Sequence, residues 1–258
     1  MSDAAHGALI RDQFTRQAVP FNTAAPIADA AALKLLVEAA KAGPDDTVLD
    51  VACGGGIVVC GFAPHVRHAT GIDMTAAMLD RARRLAADKR LANVAWREGD
   101  VAHLPWPDGT FTIVVTRFAV HHFLKPQAVF AEMLRVCAPG GRIVVADTYA
   151  SPDSAKAAEF NRLELLRDPS HRRCLSLSEL MDLFRTGGLG EPRVHCYELR
   201  DSVANLIARS FPDPGDEQKI IDLFAASIAD DRLGIPVRRD AGGLYYAYPV
   251  AILASGKP

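Results

Sequence analysis

Long apolar runs are missing from this chain: nothing in its 258 residues approaches the length needed to span a membrane. Asp3 and His6 stand where a secretory signal needs a basic segment followed by a sustained apolar stretch. An excess of positive charge is missing too. Lys and Arg number 29 against 31 Asp and Glu, a formal net charge of −2, and no basic patch is available for a nucleic-acid substrate. Cysteine is sparse and odd in number. Cys53, Cys60, Cys137, Cys174 and Cys196 show no paired C-x-x-C spacing, which argues against a disulfide framework and against a zinc site. No His/Asp/Glu set has recognisable ligand spacing, so no metal is expected. Repeats, low-complexity tracts and linkers are absent as well. These absences point to a cytoplasmic protein without membrane insertion, a single domain over 1–258, acting on a small molecule; whether it pairs as a homodimer is left open.

What is present is a chain with 49% hydrophobic residues, enough to bury one sizeable core. Its most informative stretch is VLDVACGGG, Val48 to Gly56. Val48, Leu49 and Val51 suit a buried parallel strand, Asp50 sits near its carboxyl end, and Gly54, Gly55 and Gly56 allow a sharp turn and close approach of a ligand. A glycine-rich loop alone is weak evidence, since a tight strand-to-helix turn also needs it. Further segments add weight. TGIDMT ends a second apolar run at Asp73, where a carboxylate can accept from two ribose hydroxyls. VAWREGDVAHLPW puts Asp100 after a third run, placed to accept from an exocyclic amine. FTIVVTRFAVHHF carries a fourth strand to about Thr116, and the Pro139-Gly140-Gly141 turn launches a fifth that ends at Asp147.

A dinucleotide fingerprint would read G-x-G-x-x-G, with a helix N-terminus receiving a pyrophosphate. This chain reads D-x-A-x-G-x-G. An acid beside the loop repels phosphate and suits an α-amino group, which counts against a nicotinamide oxidoreductase.

The series from Thr47 to Asp147 resembles the class I S-adenosylmethionine-dependent methyltransferases, and within them the ubiquinone/menaquinone-biosynthesis-like small-molecule enzymes. The resemblance implies S-adenosyl-L-methionine as cofactor and a quinone-like or natural-product acceptor. It places Asp50, Ala52, Gly54 and Gly56 by the methionine part, Asp73 on the ribose, and Met74, Asp100 and Val101 around the adenine. Arg117 is a candidate for the cofactor carboxylate, with a surface ion pair as the alternative. One departure is Ala52, where the family's loop commonly has glycine. His121 and His122 follow the fourth strand at the rim where such enzymes face their substrate, and are the candidate catalytic bases. His171 reads as a solvated loop histidine. Phe14 and Phe21 either close over the cofactor or simply pack. A protein of this fold that catalyses a non-methylating rearrangement or cyclisation is the alternative function.

The expected architecture is α/β: a Rossmann-like, doubly wound seven-stranded sheet, mostly parallel with an antiparallel last strand. Residues 1–43 form N-terminal helices: one from about Gly7 to Ala18, broken at Pro20 and Pro26, and one from Ile27 to Ala42, stopped by Gly43-Pro44. Residues 44–150 form the cofactor-binding core, with Thr75 as an N-cap. Helices over Asp153–Arg167 and Ser176–Thr186 lead to a sixth strand at Arg193–Leu199, and Leu244–Ala254 forms the last strand beside it. On that strand Tyr246 and Tyr248 face one side and Tyr245 the other. Between these two strands lie two amphipathic helices split by Pro-Asp-Pro-Gly. Segments 151–190 and 200–243 are expected to cover the substrate, the second as a lid.

Overall fold

A computed structural model describes residues 2–258. Its sheet has eight strands: β1 Thr47–Val51, β2 His68–Asp73, β3 Val94–Glu98, β4 Phe111–Arg117, β5 Cys137–Thr148, β6 Arg193–Ser202, β7 Val237–Asp240 and β8 Gly243–Gly256. The spatial order is β3-β2-β1-β4-β5-β8-β6, with β7 paired to β8. The first five run parallel; β8 is antiparallel to β5, β6 and β7. Seven strands were expected. The eighth, β7, forms a hairpin with the start of β8, pairing Val237 with Tyr246 beyond the last β5 pair, Thr148 with Val250.

The chain steps outward from β1 to β2 and β3, then returns to place β4 on the other side of β1. That reversal opens a crevice at the carboxyl ends of β1 and β4, where open α/β sheets bind ligands. Alternation along the strands feeds two cores. Leu49, Val51 and Val114 join one cluster, while Val48, Ile113 and Val115 join the opposite one. This is why these strands read as continuous apolar runs.

The helices are α1 Asp3–Thr23, α2 Ala30–Ala39, α3 Ile57–Phe62, α4 Ala76–Asp88, α5 Pro126–Val136, α6 Ser154–Arg167, α7 Leu177–Thr186, α8 Val203–Ser210 and α9 Asp216–Asp230. Four expectations need correction. Pro20 lies inside α1; it falls in the last turn, where a missing N–H costs a single backbone bond and the downstream turn is held by other contacts. The second helix starts later than Ile27, because Asp29 caps it by accepting from the amides of Ala31 and Ala32 at 2.7 and 3.0 Å. Thr75 occupies the N-cap of α4, but its hydroxyl makes no capping bond; Asp73 takes the Thr75 amide instead, at 2.9 Å. The Pro139-Gly140-Gly141 turn sits within β5, as an irregularity where pairing jumps from Phe111–Cys137 to Ile113–Arg142.

A third apolar cluster fills the space under α6, α8 and α9 and includes Phe160, Phe224, Tyr246, Tyr248 and Val250. No described helix is long and apolar enough to cross a membrane.

Candidate active site

From β1 the backbone enters the loop in left-handed conformations, with φ of +59° at Ala52, +49° at Gly54 and +79° at Gly56. The glycines serve different purposes. A Cβ on Gly54 would have nothing nearer than Met78 Sδ at 4.0 Å, so it would project into open space. On Gly55 it would strike Asn22, and on Gly56 it would come within 2.6 Å of Trp96 and 2.7 Å of Ala82. Gly56, expected at the cofactor, is therefore required by packing between the loop, β3 and α4 and does not line the cavity. Asp73 Oδ2 accepts the Gly54 amide at 2.8 Å, tying the loop to the end of β2.

The loop forms one wall of a cavity of about 370 Å³ whose lining includes Asp50, Ala52, Gly54, Asp73, Met74 and Arg117. Asp50 is 1% exposed, and its Oδ2 has no hydrogen-bond partner. Burial pushes its carboxyl well above the usual range, as does the nearby Asp73, while Arg117 opposes them. Arg117, at the end of β4, is also buried. Its guanidinium lies 4.6 Å from the centre of the Phe118 ring, and Nη2 has no partner; burial lowers its pKa, opposed by Tyr197 and by the charges of Asp50 and Asp29. Among the described residues Arg117 forms no ion pair, and it is buried, not on the surface. Opposite charges thus stand at the ends of adjacent strands with unused hydrogen-bonding capacity. Val101 is half-buried against the core, whereas Asp100 is exposed at the rim, one oxygen accepting from the Ala102 amide at 2.9 Å.

The roof of this cavity is α1, which contributes His6, Gly7, Ile10, Phe14, Phe21 and Asn22. Asn22 donates to the Gly55 carbonyl at 3.1 Å, His6 Nε2 donates to the His122 carbonyl at 2.7 Å, and Gly7 lies above Met74. Phe14 and Phe21 close over the cavity with their rings edge to face, 6.3 Å apart. The segment 200–243 contributes nothing to this lining. Sequence reasoning missed His6, Gln13, Gln17 and Asn22, all buried. For His6, Gln13 and Gln17 the signal was a helical spacing that puts three polar side chains on one side of α1; Asn22 had none.

Behind Phe14, Phe21, Ile27, Phe118 and His122 lies a second, smaller chamber of about 60 Å³ that shares those five residues. Here α8 enters the site through Leu206, Arg209 and Ser210, and Gln17 joins α1 to it by donating to the Ser210 carbonyl at 3.1 Å. Tyr246 and Tyr248 stand side by side on β8, ring centres 4.4 Å apart, and both line the chamber. They were expected to pack the sheet. They do so, and they also bond: Tyr248 donates to Glu164 at 2.5 Å, and Tyr246 accepts from Arg209 at 2.9 Å.

His121 lines only this second chamber, and His122 lines both. His121 Nδ1 lies 2.6 Å from Asp147 Oδ1. Burial lowers the His121 pKa, but the charge and hydrogen bond of Asp147 outweigh it and hold the imidazole above its ordinary value. His122 Nδ1 faces the Ser170 carbonyl at 3.1 Å and must donate to it. Burial, with the charge of His121, pushes His122 down to about 4. His171 is 1% exposed, not solvated as expected; Nε2 bonds Asn161 at 2.9 Å, and its ring centre lies 5.6 Å from that of His121. Burial and the two neighbouring histidines hold it neutral. Among the described residues no group of three or more His, Cys, Asp or Glu could hold a metal ion.

Residues 49–145 match the family model described as a methyltransferase domain. The chain is 32% identical over 208 residues to YcgJ of Bacillus subtilis, an uncharacterized methyltransferase, covering 81% of this chain and 82% of that protein. The crystal structure of YcgJ superposes with a TM-score of 0.80 over 88% of this chain and 98% of its own, at 27% identity. A putative methyltransferase from Bacillus halodurans superposes with a TM-score of 0.82 at 26% identity, covering 88% of this chain and 99% of its own. Over 113 residues, 43% of its length and 45% of the relative's, this chain is 33% identical to a ubiquinone/menaquinone biosynthesis C-methyltransferase of Ruegeria. With this likeness over most of its length and a cavity at the strand-order reversal, the chain belongs to the class I S-adenosylmethionine-dependent methyltransferases.

Proposed function

We propose that this chain transfers a methyl group from S-adenosylmethionine to a small, largely apolar acceptor of quinone-like or natural-product type. The observation that carries this reading is the pair of unpartnered buried groups, Asp50 Oδ2 and Arg117 Nη2, in one cavity. An amino acid's ammonium and carboxylate are what two such opposed charges can match, and a cation near Asp50 offsets the burial that disfavours its ionised form.

The remaining residues of the cavity fit around that pair. Asp73 spends one lone pair of each oxygen on backbone amides, and a carboxylate retains further acceptor capacity for a ribose diol. Met74, Val101 and Asp100 form the end of the cavity suited to a purine. Gly54 leaves open the volume beside the loop. Bound there, S-adenosylmethionine supplies an electrophilic methyl on a sulfonium. The chain's own part is to hold the acceptor in line and exclude water, which Phe14, Phe21 and Phe118 support at the junction of the two spaces. For an acceptor that keeps its proton, His121 is the favoured base over His122: Asp147 fixes its Nδ1–H, leaving Nε2 to take the proton. The cover is divided, with α1 over the cofactor and α8 of the 200–243 segment over the acceptor. The relative named for ubiquinone/menaquinone biosynthesis supports a quinone-like acceptor.

The test is incubation with methyl-labelled S-adenosylmethionine and a panel of hydroquinones and natural-product phenols, followed by mass analysis. Label gained by a panel compound is the expected result. Cofactor binding with an acceptor converted but unlabelled would replace this reading by a rearrangement, and absence of cofactor binding in a calorimeter would overturn it.

A further inference from the structure

The charged groups around the second chamber are already matched to one another. Arg167 pairs with Glu164 at 2.6 Å and reaches Ser210 Oγ at 3.3 Å. Arg209 pairs with Asp201 and donates to Tyr246. Glu164 also receives the Tyr248 hydroxyl. Both cations therefore have their counter-charges within the protein, and an anionic group entering here would meet no uncompensated positive charge.

Hydrogen-bonding capacity remains elsewhere. Thr148, at the end of β5, lines the chamber, and its Oγ1 is buried with no partner. A hydroxyl left so is costly, by more than a typical hydrogen bond contributes. His121 bonds through Nδ1 only, and its Nε2 is unused. The two residues share one support: Asp147 Oδ1 accepts from the His121 ring at 2.6 Å and from the Thr148 amide at 2.7 Å. Remaining walls such as Leu199, Leu206 and Val250 are apolar.

We infer that Thr148 Oγ1 and His121 Nε2 form a two-point clamp for a neutral hydroxyl on the acceptor, a phenol or enol. The acceptor's O–H donates to His121 Nε2, and its oxygen accepts the Thr148 hydroxyl proton. A single oxygen that both donates and accepts fits this pair; an ether cannot donate to Nε2, and a carboxylate finds no free cation. This deepens the proposed function and rests on its reading that the second chamber receives the acceptor.

Naphthol tests the clamp without turnover, because its fluorescence reports the state of its hydroxyl. Titrations of the full chain at mildly alkaline pH, above the His121 titration followed by NMR and below that of naphthol, so that Nε2 is free to accept, would compare naphthol, methoxynaphthalene and hydroxynaphthoic acid. Naphthol is expected to bind tightest, by about five- to tenfold for one hydrogen bond gained over the ether. Thr148→Val should weaken naphthol and its ether by similar factors, because both offer an oxygen to the Thr148 hydroxyl, and Thr148→Ser should restore both. No naphthol binding, equal binding of naphthol and its ether, preference for the carboxylate, or a Thr148→Val affinity equal to wild type would each overturn the clamp. Comparing the three ligands on the wild type keeps the test decisive even if Thr148→Val does not fold. Calorimetry with S-adenosylmethionine on the same preparations separates the two readings: loss of that binding with naphthol selectivity intact overturns the proposed function and not the clamp.

Discussion

His121 and Asp147 are joined twice: Asp147 Oδ1 lies 2.6 Å from the His121 ring nitrogen Nδ1, and Oδ2 accepts the His121 amide at 3.2 Å. Ring orientation, tautomer and backbone position are thus set by one carboxylate, 1% exposed, at the end of β5. A residue that follows one strand is locked to the end of the next.

Removing the charge of Asp147 should lower the His121 pKa. Asp147 is what outweighs burial and holds that pKa above its ordinary value, so histidine NMR titration of Asp147→Asn should find His121 losing its proton at lower pH than in the wild type. A base must be neutral to accept a proton, so the acid limb of turnover should move to lower pH with it. With an acceptor that keeps its proton, His121→Ala should lose about 10²–10⁴-fold in kcat and retain cofactor affinity. An unchanged His121 titration in Asp147→Asn would break the pairing.

Acid should destabilise the fold through His122. Its folded pKa, about 4, lies below its ordinary 6.5, so the unfolded chain binds the extra proton first. The stability from keeping His122 neutral is complete above the unfolded value and is lost as pH falls toward the folded one. The slope is about 1.4 kcal/mol per pH unit for one such proton, and His171, also lowered, adds to it. Urea unfolding of His122→Phe between about pH 4 and 7 should give a shallower dependence than the wild type. Parallel curves would remove His122 as a source of acid sensitivity.

The loop glycines should separate into two phenotypes. At Gly54 an added methyl enters open cavity, so Gly54→Ala should fold, with strain of about 1–2 kcal/mol from its positive φ, and lose cofactor affinity. At Gly56 the methyl meets Trp96 and Ala82, and Gly56→Ala should lose stability foremost. Calorimetry and thermal unfolding on both variants check this, and a swap of the two outcomes would reverse the assignment of the loop. Ala52→Gly, relieving a left-handed alanine, should leave stability unchanged or raise it by up to about 1 kcal/mol.

Asp73→Ala should weaken S-adenosylmethionine binding at least about tenfold. It should also lower the melting temperature, because the same carboxylate accepts the amides of Gly54 and Thr75. Asp73→Asn keeps an acceptor for one of these amides and should recover part of the stability with less of the affinity. Wild-type affinity in both variants would remove Asp73 from the cofactor site.

The sequence by itself carried the strand ends that wall the larger cavity. Asp50, the loop and Asp73 are each attached to a strand end, so the alternation of apolar runs and turns sets their relative positions, and local rules suffice to read them. The smaller chamber was decided by tertiary structure. Asp147 and His121, Ser170 and His122, and Glu164 and Tyr248 are contacts between segments far apart in the chain, and no local period announces them. The same limit explains the roof. Polar side chains at His6, Gln17 and Asn22 gave α1 no clear apolar face, and only docking onto the loop, His122 and α8 shows that each is there to bond a backbone carbonyl. Gly56 illustrates it at one atom: three adjacent glycines look alike in sequence, and what each missing Cβ makes room for depends on which neighbour the fold brings against it.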